Sequence, residues 1–155
     1  MKKFLKIAGI VLGVLLLIVL AYVAYVFIDY DRIEDNQELA VEGNAVIDAV
    51  SADTEYTVVT QNIGFGAYTA DFTFFMDGGE SSWAESEESV VNCVNGIAKN
   101  IDENMAPDFI LFQEVDFDST RSYHVDQKAM LCDAFDGYDE VFAVNYHSAF
   151  LMYPF

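Results

Sequence analysis

The sequence DFILFQEVD, at residues 108–116, predicts both a structural element and a candidate functional residue. Four consecutive apolar residues, 109–112, lead directly into Gln113 and Glu114. A short apolar run with polar residues at both ends is typical of a β-strand that is buried on both faces. Glu114 would then leave the end of a rigid element, which suits a metal-binding or catalytic carboxylate. The alternative, that Glu114 only marks the exit of the strand into solvent, stays open at this point.

A second stretch of the same design lies upstream, at residues 56–62, YTVVTQN. Its four β-branched residues favour an extended backbone, and the run ends in Gln61 and Asn62. Gly64 and Gly66 follow, and two glycines just after a strand permit a tight turn and the close approach of a ligand to the backbone.

An amphipathic helix is predicted between these two strands. Ser82 and Glu85 have the spacing of a capping box, which predicts that the helix starts there. The apolar residues that recur at intervals of four, three and four are Val90, Val94, Ile97 and Ile101. A strand–helix–strand order predicts parallel strands, so Asn62 and Glu114 should emerge at one edge of the sheet. That edge is where ligands bind in α/β sheets.

The remaining stretches predict secondary structure more than chemistry. The aromatic side chains of the loop at residues 67–81 are expected to pack beneath the loop and not to line a cleft. A helix is expected from about Ser122, with Val125, Ala129 and Cys132 on one side, and a last strand at residues 140–146. Cys93 and Cys132, the only cysteines, fall in predicted helices, which favours buried free thiols over a disulfide.

Residues 7–28, IAGIVLGVLLLIVLAYVAYVFI, form a run of 22 residues without a charge. A helix of that length is about 33 Å long, enough to cross a bilayer core of about 30 Å. Lysines precede the run and aspartates follow it, so the positive-inside rule places the N-terminus in the cytoplasm and the rest outside. A cleaved signal peptide normally has an apolar region of only about 7–15 residues, so we prefer an uncleaved anchor. We predict a single-pass cell-membrane anchor at 1–28, an acidic stalk at 29–55 and a domain at 56–155.

The part of the chain beyond residue 28 is strongly acidic. It contains four basic and 26 acidic residues, hence a net charge of −22. Proteins that grip nucleic acids neutralise phosphates with Lys and Arg, so a long nucleic acid is disfavoured as a partner. A phosphate-bearing partner should therefore be small or screened by metal ions, and the acidity also favours solubility outside the cell.

Taken together, the two strand-end motifs resemble the N-terminal half of the endonuclease/exonuclease/phosphatase superfamily. These motifs are TQNIGFG at residues 60–66 and, roughly fifty residues later, PDFILFQEVD at residues 107–116. The segments SWAESEESV, residues 82–90, and YHVDQ, residues 123–127, are similar to membrane-anchored bacterial members of that superfamily. The resemblance covers residues 56–155.

The resemblance implies an α/β fold that is part of a four-layer α/β sandwich, in which two packed sheets are flanked by helices. It implies a phosphoesterase that depends on Mg²⁺ or Mn²⁺, with Glu114 as the principal metal ligand and Asn62 near the scissile phosphate. Gln61, Asp116 and His124 are further candidates for positions near the substrate.

The later motifs of the superfamily, an Asp/Asn pair and a terminal Asp–His, have no counterpart before residue 155. We therefore expect that this sequence is the front part of a longer domain, with half an active site and neither nucleophile nor base. A hypothesis from another class is a non-catalytic cell-surface module that binds cations or a partner through its acidic face.

Overall fold

A computed structural model describes residues 2–30, 32–43, 49–145, 147 and 149. The described residues form two compact units. One contains the described residues up to Glu38 together with those at 143–145, 147 and 149, and the other contains the described residues of Leu39–Phe142.

The first unit is dominated by helix α1, Lys2–Asp29, in which no residue is buried. The helix has 28 residues and contains an 18-residue window with a mean hydropathy of 2.9, which makes it long and apolar enough to cross a membrane. The length and composition of α1 confirm the prediction of a helix that is able to span a bilayer. Among the described residues, α1 buries none of its apolar side chains, a pattern that suits a lipid environment.

The second unit is a mixed α/β structure. In chain order its elements are β1 (Glu42–Gly43), β2 (Val58–Asn62), α2 (Glu87–Asn104), β3 (Phe109–Gln113), α3 (Gln127–Ala134) and β4 (Asp139–Glu140), with short 3-10 turns at Gly64–Gly66, Phe75–Asp77 and Thr120–Ser122. Strands β2 and β3 pair in parallel, with Asn62 opposite Gln113 at the end of the ladder. The predicted strand–helix–strand crossover is confirmed.

The prediction that these strands are buried on both faces is wrong for the part of the chain that the structure describes. Val59, Ile110 and Phe112 pack against the core. The opposite face is open, with Leu111 52% and Phe109 42% exposed. The run is apolar on both faces of the strand, but among the described residues only the face that carries Ile110 and Phe112 meets the core.

Helix α2 supplies the main apolar face of the core. Its buried residues are Val90, Val94, Ala98 and Ile101. The helix begins at Glu87, where the side chain of Ser86 accepts a hydrogen bond from Ser89 N at 3.1 Å. The predicted start at Ser82 is wrong because the preceding segment is tied to another loop, through Ala84 N and Arg121 O at 2.8 Å.

Helix α3 starts later than predicted. Tyr123 and His124 have positive φ values of 57° and 60°, which interrupt a helix, and Asp126 then caps α3 by accepting from Ala129 N at 2.8 Å. The predicted apolar side is also wrong, since Ala129 is exposed. The buried positions are Gln127 and Leu131.

Strand β4 is shorter than the predicted strand at residues 140–146. Only Asp139–Glu140 is a strand, paired antiparallel with β1, and residues 141–145 have no regular structure. Tyr146 lies outside the described residues. Since β1 falls within residues 29–55, part of the predicted stalk forms a strand of this unit. The domain boundaries otherwise stay predictions.

A polar cluster joins α3 to β4. Lys128 Nζ lies 3.2 Å from Glu140 Oε1 and 3.6 Å from Glu42 Oε2, and the thiol of Cys132 donates to Glu140. Hydrogen bonding to Glu140 raises the pKa of Lys128. Cys93 and Cys132 are both free, as predicted, but they are half-buried and not buried.

Cys132 should be unreactive at neutral pH. Burial and its hydrogen bond to Glu140 raise the pKa of its thiol to about 11. Since only the thiolate is alkylated, iodoacetamide should modify Cys132 about 200-fold more slowly at pH 8 than a free cysteine of pKa about 8.5. Site-resolved mass spectrometry should show the rate rising about tenfold per pH unit up to about pH 11. A rate that reaches its plateau near pH 9 would contradict this.

Candidate metal centre

The candidate site is built where β2 and β3 end. Asn62 is the last residue of β2, and Glu114 directly follows β3. Asn62 Nδ2 donates a hydrogen bond to Glu114 Oε1 at 3.0 Å, and Asn62 Oδ1 accepts from Gly64 N at 2.8 Å. Both side chains are exposed. The two residues that the sequence placed at one edge of the sheet are therefore in direct contact.

The backbone after each strand turns sharply at this contact. Glu114 and Phe65 have positive φ values of 55° and 44°, a conformation uncommon for residues other than glycine. Phe65 N donates to Glu114 O, and Ile63 N donates to Gln113 O, both at 2.9 Å. These bonds extend the pairing of the strands into the loops. Left-handed residues of this kind concentrate at functional sites, where surrounding contacts hold them.

Asp116 lies two residues beyond Glu114, but its carboxylate is already engaged. Arg121 Nε and Nη2 donate to its two oxygens, each at 2.9 Å, and Ser122 Oγ donates at 2.9 Å. The guanidinium of Arg121 also lies 4.0 Å from the centre of the Phe65 ring. Asp116 thus organises the loop behind the site, and its proposed position near a substrate stays a prediction.

Gln61 and His124 are not brought to the contact between Asn62 and Glu114. Gln61 precedes Asn62 in the strand and so points to the opposite face, where its Nε2 donates to Asn62 O at 2.7 Å. His124 Nδ1 lies 2.5 Å from Asp118 Oδ1 on the exposed surface. Within the described residues, neither makes a hydrogen bond to Glu114.

Tyr68 lies in the loop just after the strand-end turn at Gly64–Gly66, and the sequence did not single it out. Its ring is 52% exposed and meets the buried Phe65 ring edge-on, with centroids 6.2 Å apart. Partial burial and the negative charges of Asp77 and Glu114 raise the pKa of its phenol. The phenol therefore stays protonated at neutral pH and can donate a hydrogen bond. Two of the three other aromatics of this loop, Phe72 and Phe74, pack against the core as predicted.

The residues at this edge offer oxygen ligands. Among the described residues, no group of three or more His, Cys, Asp or Glu side chains is close enough to hold a metal together. Zn²⁺ usually takes three or four protein ligands, whereas Mg²⁺ often takes only one or two carboxylates and keeps several waters. Carboxylate and carbonyl oxygens suit both Mg²⁺ and Mn²⁺. Glu114 beside Asn62 therefore fits one of these two ions.

Comparison with models of protein families, with characterised proteins and with solved structures found no match to this chain. The assignment to the endonuclease/exonuclease/phosphatase superfamily stays a prediction from its motifs.

Proposed function

We propose that this protein is a membrane-anchored hydrolase of phosphate esters that binds Mg²⁺ or Mn²⁺ at Glu114. The observation that carries the proposal is the 3.0 Å hydrogen bond from Asn62 to Glu114, at the ends of two adjacent parallel strands. This edge is where α/β sheets bind their ligands. The resemblance of both motifs to the endonuclease/exonuclease/phosphatase superfamily supports the same pair of residues.

Each residue of the pair has a distinct role in this proposal. Glu114 holds the ion through its carboxylate, which leaves coordination positions for water and for a substrate phosphate. When bound, the ion screens the charge of the phosphoryl oxygens and stabilises the transition state. Asn62 donates to a phosphate oxygen without adding a repelling charge. The protonated phenol of Tyr68, whose pKa the charge of Glu114 helps to raise, is a further hydrogen-bond donor.

The charges of the unit support a small phosphate ester as the substrate. Its basic residues are Lys99, Arg121 and Lys128, and each lies in an ion pair with a carboxylate. Few cations therefore remain to neutralise a long row of phosphates, which disfavours extended nucleic acids as substrates.

The proposal extends to the setting of the domain. Helix α1 spans the cell membrane with its lysine-rich end in the cytoplasm, and the domain lies outside. The open apolar face of β2 and β3, which includes Val58 and Leu111, supports a second sheet packed upon it, as in a four-layer α/β sandwich.

Substitution of Glu114 tests the metal site. We expect the full chain in lipid nanodiscs to bind one Mn²⁺, measured by electron paramagnetic resonance. Glu114→Gln should weaken that affinity by more than 10-fold, because loss of an outer-shell partner alone costs about 10–100-fold. The matched control is Asp102→Asn, which removes the same charge from an exposed position near the end of α2. The control should change the affinity by less than about twofold, since it acts only through a screened field.

The alternative function, a non-catalytic acidic surface module, gives a different result. It predicts many weak, salt-sensitive ions and equal effects of Glu114→Gln and Asp102→Asn, and that outcome would refute the metal site. Catalysis itself is tested by Mg²⁺-dependent cleavage of a p-nitrophenyl phosphodiester by the natural full-length protein. Activity that survives Glu114→Gln would contradict the proposed hydrolase.

A further inference from the structure

Gln127 is a fully buried polar residue at the start of α3, with an exposed fraction of 0%. Its side-chain Nε2 donates to Phe65 O at 2.8 Å, and its Oε1 accepts from Asp116 N at 3.2 Å. Its backbone N–H also donates to Asp116 O at 3.0 Å. A buried amide must be paired because leaving it unpaired is unfavourable, and here all its partners belong to two loops.

These two loops are the ones that carry the candidate site. Phe65 follows β2 and Asn62, and Asp116 follows β3 and Glu114. The loops also meet directly, through Phe65 N and Glu114 O at 2.9 Å. Gln127 is thus bonded to both sides of the junction that brings Asn62 against Glu114.

The junction needs such support because its backbone is strained. Phe65 and Glu114 both adopt positive φ values, which non-glycine residues hold only when surrounding contacts impose them. Gln127 bonds Phe65 O, the carbonyl of one of these two residues. The bond to Asp116 N holds the chain two residues after the other.

We propose that Gln127 is a positioning residue, which holds the two loops so that the Asn62 amide meets the Glu114 carboxylate. The inference rests on the proposed function, because the geometry that Gln127 maintains is that of the proposed metal and phosphate site. Gln127 touches neither of these two side chains and acts through the backbone of their loops.

Three variants separate this role from a contribution to the core alone. Gln127→Met keeps the length of the side chain and removes its amide, whereas Gln127→Glu keeps an acceptor for Asp116 N but removes the donor to Phe65 O. The control, Leu131→Ala, removes buried apolar atoms one turn further along α3. All three are made in the full chain in lipid nanodiscs.

The main measurement is the NMR signal pair of the Asn62 side-chain amide, which reports its hydrogen bond to Glu114 without any metal. In Gln127→Met the two signals should move toward the values of a free carboxamide, and in Gln127→Glu they should move in the same direction. In Leu131→Ala the two signals should stay at their wild-type positions, even if its unfolding midpoint falls as far as that of Gln127→Met. Mn²⁺ affinity should fall about 10-fold in Gln127→Met, as for outer-shell residues of metal sites.

Unchanged Asn62 signals in Gln127→Met, or an equal shift in Leu131→Ala, would overturn the inference. Loss of folding in both Gln127 variants would overturn it too, because Gln127 would then serve the fold as a whole. If the wild-type chain binds no Mn²⁺, the proposed function fails by itself. The Asn62 signals still decide whether Gln127 positions the pair.

Discussion

Phe65→Ala should destabilise the Leu39–Phe142 unit by about 3–5 kcal/mol, the usual loss for a buried Phe replaced by Ala. Phe65 is 1% exposed, and its ring lies within 6.2 Å, centroid to centroid, of Tyr68, Phe72 and Phe74. The substitution removes the ring on which these aromatics converge and leaves a cavity. Because domains of this size are stable by only about 5–15 kcal/mol, a large part of the total would be lost.

The measurement is urea unfolding of the full chain in lipid nanodiscs, followed by the fluorescence of Trp83, the only tryptophan. Phe109→Ala is the matched control, because the side chain of Phe109 is 42% exposed on the open face of the sheet. Its loss should be clearly smaller than that of Phe65. Equal losses would mean either that Phe65 is not central to the core or that the face carrying Phe109 is covered.

Gly66→Ala should destabilise the same unit by about 2–5 kcal/mol, for two separate reasons. Gly66 has a φ of +70°, and left-handed backbone is unfavourable for alanine by roughly 1–2 kcal/mol. A Cβ at this position would lie 2.9 Å from Val90 Cγ1 and 3.3 Å from the backbone of Val90. Overpacking of this kind costs roughly 1–3 kcal/mol, because the backbone of α2 has to move.

Gly78→Ala separates the cost of the left-handed backbone from the cost of the close contact with Val90. Gly78 has a φ of +88°, but no atom lies within 4 Å of where its Cβ would stand. Its substitution should therefore cost only the backbone part, about 1–2 kcal/mol. The same urea titration measures both variants. If Gly66→Ala is no worse than Gly78→Ala, the close packing of the strand-end turn against α2 is not rigid.

The main elements of the fold were predictable because their signals are local. The spacing of apolar residues in α2 and the β-branched residues of β2 indicate the local backbone conformation. The strand–helix–strand order that results predicted the parallel pairing of β2 and β3. The ends of elements were less predictable. Ser82 and Ser86 both precede a carboxylate-rich turn, and only the bond between Ala84 and Arg121 decides that Ser86 is the cap.

The candidate site was predictable in part. The order of the elements was sufficient to place Asn62 and Glu114 at one edge, but the edge alone does not say that their side chains meet. Tyr68 was not singled out because an aromatic residue in a loop gives the same signal whether it packs in the core or remains exposed.

By itself, the sequence predicted the long apolar helix, the strand–helix–strand order and the position of the two polar strand ends. Tertiary structure decided that Asn62 bonds Glu114, that Asp116 is engaged by Arg121, and that Gln127 joins the two loops. Gln127 and Phe65 are 62 positions apart, so no periodicity relates them. Their bond depends on the packing of α3 against α2, which arises only when distant parts of the chain bury their apolar faces together.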